Sequence, residues 1–199
     1  MRTTTLPVSS DGAKPARYTL ALLIALFVLP FLAGTALFWS GWRPERSGNH
    51  GDLIQPPRSL PAAGLTYADG SPADAALRGH WLLVLAVDGA CDAACRAALQ
   101  QMTQVHRALN KEQDRLRRVL ITTAAAHTLD DVQPTFPDLV ATAITPDART
   151  TWMSAFDVSG QTLFIVDPMG NVIMRYADPT ATRGVLKDLE RLLKYSWIQ

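Results

Sequence analysis

Trp81-Leu82-Leu83-Val84-Leu85-Ala86-Val87-Asp88-Gly89-Ala90-Cys91-Asp92-Ala93-Ala94-Cys95 decides how this chain of 199 residues folds. It opens with an unbroken apolar run, the pattern of a strand covered on both faces in a parallel sheet. Asp88-Gly89-Ala90 then breaks the pattern. From Cys95 onward Ala98, Leu99, Met102, Val105 and Leu109 recur at three- and four-residue spacing, opposite Arg96, Gln100, Arg107 and Lys111. That spacing predicts an amphipathic helix of about four to five turns. Asp92 is suited to open it, because its carboxylate can accept a hydrogen bond from a free first-turn amide.

On the C-terminal side, Val119-Leu120-Ile121-Thr122-Thr123 is a second buried strand, so strand, helix and strand make a right-handed βαβ unit. Leu139–Ile144 is expected as an edge strand, followed by a helix over 146–156 with Pro146 near its first turn. Thr162-Leu163-Phe164-Ile165-Val166 and Asn171-Val172-Ile173-Met174-Arg175-Tyr176 flank the turn Asp167-Pro168-Met169-Gly170, which predicts an antiparallel hairpin. Val185, Leu186, Leu189, Leu192 and Leu193 mark a last amphipathic helix, with Thr180 or Thr182 as its cap. Toward the N-terminus, Leu65-Thr66-Tyr67, a turn at Asp69-Gly70-Ser71-Pro72 and a short helical piece over 73–77 precede the central strand. The order is βαβ, a helix, then ββα.

Between Arg17 and Arg43 no charged residue occurs, and residues 20–39 supply the roughly 20 apolar residues that span a hydrocarbon core of about 30 Å. Tyr18, Trp39 and Trp42 sit at the ends, where aromatic rings favour the membrane interface. A cleaved signal is the competing reading, since Gly34-Thr35-Ala36 resembles a cleavage site. The run is longer than a signal core of about 7–15 residues, however, and Leu37, Phe38 and Trp39 continue past that site. The expected organisation is an N-terminal cytoplasmic tail over 1–17, a transmembrane helix over 18–40, a Pro- and Gly-containing linker over 41–59 and a globular domain over 60–199. With 19 basic and 18 acidic residues and no basic run, nothing points to nucleic acid. A short N-terminal tail and a close cysteine pair fit an inner-membrane protein with its N-terminus inside and its C-terminal domain in an oxidising, periplasmic compartment.

Cys91 and Cys95 are the only cysteines, which excludes a multi-disulfide scaffold and any four-cysteine metal site within one chain. They lie where the central strand hands over to a helix, at the carboxyl end of the sheet, where chemistry gathers in open α/β folds. The helix N-terminus favours a thiolate, the form that acts as nucleophile and metal ligand; Asp88 and Asp92 oppose it. The CxxxC spacing puts both sulfurs on one face, one turn apart. They can close a disulfide, or present two thiolates to a soft ion such as Cu(I). An inert staple is the bland alternative, although a loop of about five residues gains only about 2 kcal/mol from closure. Among the histidines, His50 in the linker and His80 before the central strand are expected to be solvated. His106 lies three turns beyond Cys95. His127 follows the second parallel strand and is the candidate third metal ligand. Met169 in the hairpin turn is a weaker thioether candidate, and Met102 is expected to fill the core.

Taken with the apolar N-terminal segment, the lead-in Asp69-Gly70-Ser71-Pro72 and Leu77-Arg78-Gly79-His80-Trp81, the buried strand, Cys91-Asp92-Ala93-Ala94-Cys95 and Phe164-Ile165-Val166-Asp167-Pro168-Met169-Gly170 resemble a thioredoxin-fold domain. The CxxxC spacing is similar to that of the Sco proteins, anchored factors for cytochrome c oxidase assembly. The resemblance spans roughly residues 60–199. It implies an α/β, thioredoxin-like domain with a mixed sheet of βαβ and ββα units, preceded by one transmembrane helix and facing the periplasm or the intermembrane space. It also implies work on copper delivery or thiol redox state at an oxidase subunit. The family binds copper through the two cysteines and a distal histidine shortly before the hairpin. Here that stretch reads Phe156-Asp157-Val158-Ser159-Gly160-Gln161, with no histidine. The proline inside the cysteine motif and the proline that thioredoxins place before the hairpin strand are absent too.

The expectation is therefore a thiol–disulfide oxidoreductase in oxidase biogenesis that needs no resident cofactor. Cys91 attacks a disulfide of an oxidase subunit or copper chaperone, and Cys95 resolves the mixed disulfide. The alternatives are a metallochaperone holding Cu(I) transiently on the same two cysteines, and a non-catalytic factor that docks on an oxidase subunit.

Overall fold

The computed structural model describes residues 13–41, 48–156 and 160–196. The chain divides into two units, Met1–Ser47 and Gly48–Gln199. The first contains α1, Ala13–Trp39, with Pro30 inside it. Its segment Arg17–Trp39 has mean hydropathy 2.5 and none of its most apolar stretch is buried, so it is long and apolar enough to cross a membrane. The tail over 1–12, and Trp42 with the rest of 42–47, lie outside the described residues.

The second unit is built on one seven-stranded mixed sheet. Its strands are β1 (Asp52–Ser59), β2 (Leu65–Thr66), β3 (Trp81–Val87), β4 (Leu116–Thr122), β5 (Leu139–Ile144), β6 (Gln161–Val166) and β7 (Asn171–Tyr176), in the order β1-β7-β6-β3-β4-β5-β2. β3 pairs in parallel with β4, which pairs in parallel with β5, while β6 runs antiparallel to β3 and β7 antiparallel to β6. Helix α2, Ala93–Ala108, makes the β3-to-β4 crossover, α3 (Arg149–Phe156) follows β5, and α4 (Thr182–Tyr195) closes the chain. This is the thioredoxin-like α/β arrangement.

Every residue of β3 is buried, and alternation explains why the run has no polar gap. Leu83, Leu85 and Val87 face a cluster built with Ala98, Leu99 and Met102 of α2 and Val185, Leu189 and Leu193 of α4. Leu82, Val84 and Ala86 face the other layer, with Trp152 and Phe156 of α3 and Phe164 of β6. Burying each Leu or Val is worth about 1.5–3 kcal/mol, so a strand covered on both sides anchors both layers.

Three local expectations are corrected. The linker expected over 41–59 is in part a strand, because Asp52–Ser59 pairs antiparallel with β7. Its side chains are mostly exposed, so no apolar alternation announces it; main-chain pairing alone defines it. The register breaks between Leu53 and Arg58, where Pro56 and Pro57 lack the amide that a ladder needs and fit only at an edge. β5 is not an edge strand, since β2 pairs with its end at Leu65↔Ile144 and Thr66↔Ala143. Neither Thr180 nor Thr182 caps α4: the cap position is Ala181, without a side-chain bond, and the Thr180 hydroxyl donates to Asp178 Oδ1 instead (2.6 Å). Thr180 is held in an Asx turn by its own neighbour, which competes with capping. The short helical piece expected over 73–77 is present, as the 3-10 helix Asp74–Leu77.

Candidate thiol site at the carboxyl end of the central strand

β3 ends at Val87, and the five residues to Asp92 carry the chain into α2. Two neighbouring strands hold this loop. From the end of β4 the Thr122 hydroxyl donates to the Gly89 carbonyl, and just past it the Thr123 hydroxyl accepts from the Gly89 amide (2.8 Å) while donating to Asp88 Oδ1 (2.7 Å). Gly89 has φ +105, a conformation that side chains disfavour, which is why glycine turns the chain here. Just ahead of β6 the Gly160 carbonyl accepts from the Asp88 amide (3.0 Å), and at its first position Gln161 Nε2 donates to Asp92 Oδ1 (2.9 Å).

Asp92 occupies the expected cap position of α2: its Oδ1 accepts from the Cys95 amide at 2.8 Å. That amide bond is the main cause holding the carboxyl below its ordinary range; partial desolvation opposes it and the Gln161 amide reinforces it. Asp88 is also engaged, with Arg149 Nη2 at 3.1 Å from Oδ1. Both members of that pair are about half exposed, so it adds at most about 1 kcal/mol. The two acids beside the cysteines are therefore partnered, and each ties the loop to another element.

Cys91 and Cys95 form a disulfide with their Cα atoms 5.1 Å apart. Cys91 precedes the first turn, so the helix itself need not unwind to bring the sulfurs together. Cys95 is wholly buried and Cys91 retains 9% exposure at the rim of the same apolar cluster. An oxidised pair with one fully buried residue and one at the rim can accept two electrons from a dithiol or, once reduced, pass two to a partner's disulfide.

The remaining candidates scatter. His127 is exposed in the 3-10 turn Ala126–Leu129, at the same end of the sheet. Among the described residues no three of His, Cys, Asp or Glu gather where they could hold a metal ion. His106 Nε2 lies 3.1 Å from the carbonyls of Gln113 and Leu116, at the far end of α2. Met169 is not near the cysteines: its carbonyl accepts from Arg78 (3.2 Å), just ahead of β3, at the opposite end of the sheet. Met102 is in the core. His50 is not simply solvated, since its amide donates to Asp188 Oδ2 (2.8 Å) and its Nδ1 lies 3.2 Å from Oδ1. His80 is half-buried, with no hydrogen-bond partner for Nδ1 among the described residues. Asp157, Val158 and Ser159 of the stretch that lacks a histidine lie outside the described residues.

Sequence reasoning missed Thr122, Thr123, Arg149 and Gln161 as supports of the site. The two threonines stand at the very end of an apolar strand, a position where hydroxyls commonly serve loops, so that signal was available. Gln161 and Arg149 carried none, because their partners are 69 and 61 residues away. Thr123 and Arg149 also line a cleft of about 480 Å³ with Thr66, Ala124, Ala143 and Thr145.

An α/β fold with helices on both faces of its sheet and a cysteine pair at the end of its central strand defines a thioredoxin-like protein. The chain belongs to the family described as transmembrane-like, thioredoxin-like, C-terminal domain, which matches residues 81–196. No curated protein matches it. Among solved structures, apo Sco1 of Thermus thermophilus is similar at 18% identity and TM-score 0.58, with 75% of this chain and 99% of that one covered. BsSco, described as a member of the Sco family of cytochrome c oxidase assembly proteins with a disulfide switch, is similar at 13% identity and TM-score 0.56, covering 73% and 98%. Arabidopsis thaliana ScoI with copper bound gives 15% and 0.53, covering 71% and 98%. At these identities the likeness establishes the fold.

Proposed function

We propose that this chain is a membrane-anchored thiol–disulfide reductant in cytochrome c oxidase biogenesis, with its C-terminal domain in the periplasm and its N-terminus inside. The observation that carries this reading is the Cys91–Cys95 disulfide at the carboxyl end of β3, with Cys95 sealed and Cys91 at the rim. In the reduced protein the Cys91 thiolate attacks one sulfur of a partner disulfide, forming a mixed disulfide and releasing one partner thiolate. Cys95 then attacks the Cys91 sulfur, releases the second partner thiol and leaves the Cys91–Cys95 disulfide. Two electrons and two protons pass to the partner, and a dithiol donor must recharge the pair. The fold shared with BsSco, whose description names both oxidase assembly and a disulfide switch, supports the choice of pathway. The substrate class is the oxidised cysteine pair of an oxidase subunit or of a copper chaperone.

A second reading treats Cu(I) as cargo on the same two sulfurs once reduced, supported by the copper-bound relative of the same fold. Two thiolates suit a soft cation, and His127 is the candidate third donor by its place at the same end of the sheet. Cu(I) titration of the full chain in detergent, reduced, together with its reduction potential, separates the two. A reducing potential with no stoichiometric Cu(I) binding is expected. Tight binding lost in C91S overturns the reductant in favour of the carrier, and a further loss in H127A assigns the third ligand. If replacing both cysteines leaves oxidase assembly in cells unchanged, a docking role without thiol chemistry replaces both. A reporter fused after Gln199 that works only in the cytoplasm overturns the topology.

A further inference from the structure

We infer that Asp92 and Gln161 are positioning residues that set the dithiol–disulfide equilibrium of the pair, an inference that rests on the thiol-exchange reading. Cys91 is bracketed by two ties to consecutive residues, Gly160 just ahead of β6 and Gln161 at its first position. On one side the Asp88 amide donates to the Gly160 carbonyl (3.0 Å), and on the other Gln161 Nε2 donates to Asp92 Oδ1 (2.9 Å). The same Oδ1 accepts from the Cys95 amide at 2.8 Å. One oxygen therefore joins the backbone of the buried cysteine to β6, and Cys91 is the residue immediately before the aspartate that carries it.

The consequence is entropic. In the disulfide, the covalent bond already fixes Cys91 against Cys95, and the Asp92 ties add little order. In the dithiol, those ties are what keep the Cys91 segment from wandering, so they raise the effective concentration of one sulfur at the other. Removing them frees the reduced pair more than the oxidised one. The disulfide then becomes easier to reduce, and the protein becomes a weaker reductant. Geometry, not charge, carries the effect, so asparagine, whose Oδ1 can accept the same two bonds, substitutes for Asp92.

Redox titration of the full chain in detergent against glutathione buffers at pH 7 reads this directly. D92A is expected to lower the equilibrium constant for disulfide formation about tenfold, which is about 30 mV for this two-electron couple. Q161A is expected to lower it about threefold, and D92N to stay within about twofold of the parent. A purely structural cap would destabilise oxidised and reduced protein alike and leave the potential where it was, so melting both redox forms of D92A completes the test. Unchanged potentials in D92A and Q161A overturn the positioning role while leaving thiol exchange intact. If D92N moves as far as D92A, the carboxylate charge and not the tie is responsible, and the inference falls. Should the parent pair fail to exchange with glutathione at all, the thiol-exchange reading itself fails.

Discussion

Two carboxylates do similar work in very different surroundings. Asp92 sits exposed at the start of α2, caps its own helix and reaches Gln161. Asp188 lies in α4 with 3% exposure and gathers the segment before β1: it accepts from the amides of His50 (2.8 Å) and Gly51 (3.0 Å), and from the Tyr176 hydroxyl (2.7 Å). Burial pushes the Asp188 carboxyl up, yet these donors together more than offset it and leave the group below its ordinary value. Tyr176 moves the other way, raised first by burial and then by the bond it donates to Asp188 and that carboxylate's charge, so its hydroxyl keeps its proton. The comparison separates a tie that tunes a site from a tie that holds a chain segment onto the fold, and burial is what separates them.

The largest effect is expected at the buried end. D188A strands two buried donors and a part-buried third and should lower unfolding stability by about 3 kcal/mol or more, because each unsatisfied buried group costs about 1–3 kcal/mol. Denaturant unfolding of the full chain in detergent checks this, and a loss below 1 kcal/mol would erase the distinction. Next comes G51A. A Cβ there would lie 2.6 Å from the Tyr176 ring, a contact that must force the ring or the strand apart, at about 1–3 kcal/mol. D92A should cost about 1 kcal/mol, the ordinary worth of a helix cap. R149A, which removes only an exposed pair with Asp88, should stay within about 0.5 kcal/mol.

Acid sharpens the same contrast. Asp188 has a folded-state value depressed below its ordinary 3.8, so its contribution is fully present above that value and is lost as pH falls through the lower folded one. The parent protein should therefore lose stability below about pH 4, and D188A should lose less over that window. Equal acid sensitivity in the two proteins would show that Asp188 contributes nothing through its charge.

How much of this was legible beforehand follows sequence separation. The Asp92 cap is a contact over three residues, and its partner Cys95 sits in a helix announced by its own periodicity, so the sequence was enough. β3, β4 and the β6–β7 hairpin were equally plain, because two-sided burial and a Pro-Gly turn leave local marks. β1 was hidden: it buries no regular face, and only its pairing with β7, more than a hundred residues on, makes it a strand. Asp188 was hidden for the same reason, since its bonds to His50 and Gly51 span 138 and 137 residues. His50 therefore read as part of a solvated linker.

The apolar N-terminal helix, the alternation of strands and helices, and the position of two cysteines at a strand-to-helix junction are all written locally in the chain. Each of these follows from local periodicity or spacing, which neighbouring residues impose on one another through backbone geometry. Long-range packing set Cys95 fully inside and Cys91 at the rim, and brought Thr122, Thr123 and Gln161 to brace the loop from Asp88 to Asp92. It also decided that a buried aspartate fastens the residues ahead of β1 onto α4. Those outcomes depend on which distant segments the sheet order brings side by side, and composition along the chain holds no record of that.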